Sequence, residues 1–124
     1  MLGWIERDDS GAAMIDWNRV EALREELGEA DFAPVAELFL DEIESTVMRI
    51  CQGDAAQMET DFHFLKGCAA NLGFSSFAEI CQQGEAALRA GGGGGVALEP
   101  LLECYAATKR EFIAGQAQRR SGVA

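Results

Sequence analysis

Histidine is nearly missing from this chain: there is one, His63, in 124 residues. A single imidazole excludes the common zinc sites, which need two or three. Lysine is almost as scarce, with only Lys66 and Lys109, and 10 Lys and Arg stand against 21 Asp and Glu for a net charge of −11. So small a basic complement argues against nucleic acid, whose phosphates are neutralised by clustered cations. It argues equally against anionic membrane surfaces. No apolar run approaches the ~18 residues that a membrane span requires. The first nine residues have neither the basic nor the apolar stretch of a secretory leader. Leu2 stands where myristoylation requires glycine. Among Cys51, Cys68, Cys81 and Cys104 there is no C-x-x-C pair, which excludes a zinc ribbon and a dithiol redox motif. What remains is a small acidic domain, expected to be cytoplasmic, with buried, reduced thiols.

Proline is also rare, with two residues, and strand-like alternation is scarce. Helical spacing fills the gap. Asp16 reads as the N-cap of a first helix through Trp17, Val20, Leu23 and Leu27, stopped by Gly28. A second starts near Asp31, with Pro34 in its first turn and Phe32, Ala36, Phe39, Ile43, Val47 and Ile50 on its apolar side. Gly53 breaks it and Asp54 caps the next, which runs from about Ala55 to Leu72 and stops at Gly73. A fourth opens at Ser76, whose S-x-x-E spacing to Glu79 is a capping-box pattern, and carries Phe77, Ile80, Cys81 and Leu88. Gly91 to Gly95 reads as a flexible connector; it lacks the G-K-[ST] ending of a phosphate loop. The last helix, about 97–115, presents Leu98, Leu101, Leu102, Tyr105, Phe112 and Ile113. The expected fold is all-α: an antiparallel four-helix bundle with an additional N-terminal helix as its cover. Residues 1–15 form an extension, 16–115 the bundle, and 116–124 a flexible polar tail.

A lone histidine in an apolar helix is ordinarily a structural residue, so its direction decides its meaning. At ~100° per residue, Met58, Phe62, Leu65, Ala69 and Leu72 share a sector of about 80°, the core stripe. His63 lies roughly 140° from the centre of that stripe and Gly67 almost opposite it, with Thr60 and Ala70 on the same outer side. The imidazole therefore projects to solvent. A mid-helix glycine costs about 1 kcal/mol against alanine, and clearance for another protein to approach the ring would offset that. Lys66 adds a cation that favours neutral imidazole and can counter a phosphoryl charge. The charge balance changes at this point too: residues 1–62 carry about −12 and residues 63–124 about +1.

The segment His63-Phe64-Leu65-Lys66-Gly67-Cys68-Ala69-Ala70-Asn71-Leu72-Gly73 closely resembles the H-x-L-K-G…L-G signature of histidine-containing phosphotransfer (HPt) domains. The resemblance extends upstream to Phe39-Leu40-Asp41-Glu42 and downstream through Phe77, Cys81 and Glu85, about 100 residues in all. It implies a phosphocarrier of multistep phosphorelays rather than an independent enzyme. His63 would accept the phosphoryl group from one receiver-domain aspartate and donate it to another, assisted by Lys66 and given room by Gly67. Where some members hold the imidazole with glutamine 22 residues on, this chain has Glu85, and where Ser often follows the glycine it has Cys68. A carboxylate at 85 would orient the ring through its Nδ1 proton and leave Nε2 as nucleophile. Thr60, Ala70 and Asn71 complete the candidate binding positions around it.

The implied partners are response-regulator receiver domains and a hybrid histidine kinase, met by a monomer on the outer face of the second to fourth helices. Neither metal nor cofactor is expected in the chain, since the magnesium-binding carboxylates belong to the receiver. The alternative is a non-catalytic helical adaptor or inhibitor of a signalling kinase. A hydrolase using His63 finds no Ser or Cys nucleophile at a recognised elbow.

Overall fold

The computed structural model describes residues 14–53, 55–91 and 98–123. It holds five helices: α1 (Trp17–Leu27), α2 (Glu29–Cys51), α3 (Ala55–Leu72), α4 (Ser75–Arg89) and α5 (Leu98–Val123). There is no strand among the described residues. The Asp54 cap, most of the N-terminal extension and Gly92 to Gly95 lie outside them.

The first three helices begin and end largely where spacing and caps dictate. The Asp16 carboxylate accepts from the backbone N–H of Asn18 and Arg19, at 3.1 and 3.3 Å, satisfying donors that the first turn leaves open. Gly28 takes φ of 85°, a left-handed conformation that glycine adopts without strain. Its carbonyl then receives the N–H groups of Asp31 and Phe32, so α2 starts almost at once, at Glu29. That early start corrects the placing of Pro34, which lies inside the helix rather than in its first turn. The carbonyl that Pro34 leaves without an intrahelical donor belongs to exposed Ala30, where water can serve it. The buried stripe of α2 steps from Ala36 through Leu40, Ile43 and Val47 to Ile50; Phe39 is only half-buried beside it.

The start of α4 differs from expectation. The helix opens at Ser75, with Phe74 at the cap position and no side-chain capping bond, so the Ser76–Glu79 capping box does not form. Tertiary contacts replace it. The Phe74 ring is fully buried, edge-on to Phe112 at 5.3 Å. The Ser76 N–H donates to the Met14 carbonyl, and the Asp16 N–H to the Gly73 carbonyl at 2.7 Å. The chain before α1 thus caps the α3–α4 turn, and Ile15, assigned by the sequence to the extension, is buried in the core.

Helix α5 continues to Val123, beyond the end expected near residue 115. Packing from α1 accounts for the first of the added turns. The Trp17 ring lies directly on Gly115 and is stacked with Phe112, and the Arg24 guanidinium donates to the Gln116 side chain. On α5 the buried positions are Leu101, Tyr105, Thr108 and Phe112; Leu102 and Ile113, expected on the apolar face, are exposed. The thiols are all free, but the expectation of burial holds only in part. Cys51 is exposed and Cys104 half-covered, whereas burial pushes the Cys81 thiol up to about 12.

Helix α3 packs most extensively on α4 and also contacts α2 and α1. Its expected stripe of Met58, Phe62, Leu65, Ala69 and Leu72 is buried throughout. The α3–α4 approach is close because Gly84 has no side chain. A methyl group there would fall 2.7 Å from the Phe62 ring, itself buried among the helices. A methyl group on Gly67 would meet open space.

The two mid-helix glycines therefore predict opposite responses. Gly84→Ala destabilises by about 1–2 kcal/mol, because overpacking exceeds the gain in helix propensity. Gly67→Ala stabilises by about 0.5–1 kcal/mol, since only propensity changes. Denaturant midpoints of the two variants against wild type check both signs.

Candidate functional site

With its core stripe buried, α3 has no freedom to rotate, and the adjoining residues on its outer side are set by geometry. His63 follows Phe62 and presents a side chain 64% exposed. Opposite it, α4 buries Phe77, Cys81 and Glu85, three residues four apart on one face. The third is a carboxylate, with only 2% of its side chain exposed.

A carboxylate so covered needs donors, and three supply them. His63 Nδ1 lies 2.8 Å from Glu85 Oε2, Lys66 Nζ 3.1 Å from Oε1, and Arg89 Nη2 2.6 Å from Oε2. Burial would raise the Glu85 carboxyl. The hydrogen bonds from Lys66 and His63, with the positive charges of Arg89 and Lys66, outweigh it and hold the group below its ordinary 4.5. Facing an ionised carboxylate, Nδ1 carries the ring proton and donates it. In the neutral ring Nε2 then holds the lone pair. The site accordingly offers an exposed, oriented nitrogen nucleophile with a negative charge behind the ring.

The structure brings His63, Lys66 and Glu85 together and leaves Gly67 open one turn along. The Lys66 ammonium, expected as a cation beside the imidazole, is engaged by Glu85. Thr60, Ala70 and Asn71 are exposed on α3, and the Asn71 carbonyl accepts the Arg19 Nε at 3.0 Å, which ties it to α1. Sequence reading passed over Arg89 and Glu59. Arg89 Nε donates to Glu59 Oε2 at 2.9 Å, and Glu59 precedes His63 by one turn. The available signal was the i,i+4 spacing of Glu85 and Arg89 on one helix face.

Two grooves flank the histidine-bearing helix. One, about 410 Å³, is lined by Val35, Leu38, Phe39, Glu42, Phe64 and Cys68, with Leu38 60% exposed. The other, about 740 Å³, runs past Arg19, Lys66, Gly67, Ala70 and Gln82. No group of three His, Cys, Asp or Glu side chains among the described residues is placed to hold a metal ion. No described helix is long and apolar enough to cross a membrane.

Farther from the site, Glu44 accepts from Lys109 Nζ and the Tyr105 hydroxyl, at 2.5 and 2.7 Å, joining α2 to α5. Those two hydrogen bonds, the Lys109 bond first, hold its carboxyl below 4.5 as well. In the unfolded chain both glutamates take up protons at the higher, ordinary value. Their stabilisation is therefore complete above about pH 4.5 and is lost as pH falls through the lower folded values. Thermal unfolding followed by circular dichroism from pH 6 to 3 should show this loss. Glu85→Gln and Glu44→Gln should each flatten it; a fall of unchanged steepness in both would contradict the assignment.

In comparisons with known proteins, the family model described as Hpt domain matches residues 34–114, a span that includes all three donors to Glu85. No curated protein and no solved structure matches the chain.

Proposed function

The chain belongs to the Hpt domain family, and from that premise we propose that His63 is the phosphoryl acceptor and donor of a two-component phosphorelay. The observation that carries the reading is the 2.8 Å contact between His63 Nδ1 and buried Glu85, which orients an imidazole that stays open to a partner at Nε2.

The transfer step follows from those groups. The Nε2 lone pair attacks the phosphorus of a receiver domain's aspartyl phosphate. The P–O bond breaks and its electron pair returns to the aspartate as carboxylate. The ring gains a positive charge and keeps its Nδ1 proton, which faces Glu85. The carboxylate thus offsets charge that develops during the reaction, from a position fixed beforehand. The reverse sequence delivers the group to a second receiver. The remaining requirements, in-line approach and neutralisation of phosphoryl oxygens, are met by docking and by the partner's own site. The protein is a carrier, and no independent turnover is assigned to it.

Docking takes place over α2, α3 and α4. Leu38 and Phe64 provide an apolar contact beside the histidine, and Gly67 admits the partner surface on the other side. In this reading α2 to α5 form an antiparallel four-helix bundle, α1 covers one end, and residues 16–115 are the working unit. The protein acts as a monomer in the cytoplasm, between receiver domains and a hybrid histidine kinase.

Incubation with a phosphorylated receiver domain should place an acid-labile, base-stable phosphoryl group on the wild type and none on His63→Gln. Equal labelling of the variant would sink the assignment. Lys66→Ala removes one charge-assisted bond to Glu85 and should slow transfer roughly tenfold, with its circular dichroism unchanged. A second prediction concerns docking. Leu38→Ala with Phe64→Ala should weaken receiver binding about tenfold in titration calorimetry, while phosphorylation by the small donor phosphoramidate proceeds at the wild-type rate.

A further inference from the structure

Glu85 receives more than a ring orienter needs. Its Oε2 serves two donors at once, and the imidazole is the more distant of them: Arg89 Nη2 stands at 2.6 Å and His63 Nδ1 at 2.8 Å. Arg89 is itself held in place. Its Nε donates to Glu59 Oε2 at 2.9 Å, so the guanidinium spans from α4 back to α3. Glu59 and His63 lie four residues apart on α3, as Glu85 and Arg89 do on α4. Glu59, Arg89, Glu85 and His63 form an open row of hydrogen bonds across the helix seam, with Lys66 attached at the second oxygen of Glu85.

This row of bonds bears on the phosphorylated state. A phosphoryl group on Nε2 leaves a cationic ring while Nδ1 keeps its proton, and a neutral ring once that proton is lost. The cationic form is the more labile. In hydrolysis, water oxygen attacks phosphorus, the P–Nε2 bond breaks, its electron pair returns to the ring, and water releases one proton to solvent. A ring that is already cationic accepts that pair more readily. A full negative charge facing Nδ1 would favour the cationic form most strongly. Here the carboxylate charge is shared with two cations, one of them on the very oxygen that faces the ring.

We propose that Arg89, anchored by Glu59, is a positioning residue that shares Glu85 Oε2 with the His63 ring and thereby lengthens the time the phosphoryl group stays on His63. This rests on the reading of His63 as phosphoryl acceptor. Arg89 touches neither the phosphoryl group nor Nε2 in this scheme; it acts through Glu85. Its guanidinium suits the role because its planar fork reaches two carboxylates at once, which a lysine ammonium does less well.

The test compares wild type, Arg89→Gln, Arg89→Lys and Glu59→Gln as full chains, each checked for folding by circular dichroism. The chain's only histidine makes its ring signals unambiguous in ¹H–¹³C spectra. In the unphosphorylated proteins, Arg89→Gln should move the His63 ring signals, because the oxygen that faces Nδ1 loses its second donor. After labelling with phosphoramidate and removal of the donor, ³¹P spectra at pH 7.5 should show phosphohistidine lost about threefold faster than in wild type. Glu59→Gln should fall between the two, and Arg89→Lys should recover part of the lifetime. An unchanged or longer lifetime in folded Arg89→Gln overturns the proposal, as do unmoved ring signals. If wild type accepts no label from phosphoramidate or from a phosphorylated receiver, the phosphocarrier reading falls and takes the lifetime role with it. Normal labelling with unaltered Arg89 variants removes the Arg89 role alone.

Discussion

The site depends on the seating of the Phe62 ring against Gly84. That contact sets how closely α3 and α4 approach, and the next residue along each helix is a member of the site, His63 on one and Glu85 on the other. Core and function are thus coupled one residue apart. Burying Phe62 turns its neighbour outward, and removing the side chain at 84 lets the carboxylate at 85 come within hydrogen-bond distance of the ring. A wider seam would leave Glu85 with water instead of imidazole and the histidine free to rotate.

Placing a carboxylate at the end of a buried row is costly unless its charge is matched. The row Phe77, Cys81, Glu85 accepts that cost where three donors converge, and the resulting cluster carries both architecture and chemistry. The same bonds that tie α4 to α3 orient the imidazole and moderate the charge behind it. Elsewhere the bundle uses similar but simpler ties: Asp61 with Arg49 between α2 and α3, and Glu44 with Tyr105 and Lys109 between α2 and α5. Those pairs hold helices together without presenting a nucleophile.

The ends of the helices show where local rules yield to packing. A serine with glutamate three residues later is a sound start signal, yet α4 begins one residue before it. Fully burying Phe74 and donating the Ser76 N–H to the Met14 carbonyl satisfy that terminus by other means. Likewise α5 outlasts its apolar periodicity because Trp17 and Arg24 of α1 lie against Gly115 and Gln116. In both cases the deciding partner comes from far away in the chain, where neither a window of local sequence nor a capping motif reaches.

Periodicity and caps alone determined that the chain is helical, which side of α3 is buried, and that His63 points outward with Gly67 open beside it. These follow from a 3.6-residue repeat and from backbone sterics, which act within a few residues. The H-x-L-K-G pattern marked the same histidine. Tertiary structure decided what the histidine meets. Glu85 lies 22 residues away and its partner Arg89 26, and no helical wheel says which face of one helix opposes which face of another. The distance between α3 and α4, set by a ring against a glycine, converts those separations into contacts of 2.8 and 2.6 Å on a single oxygen. Direction was local information; company required the fold.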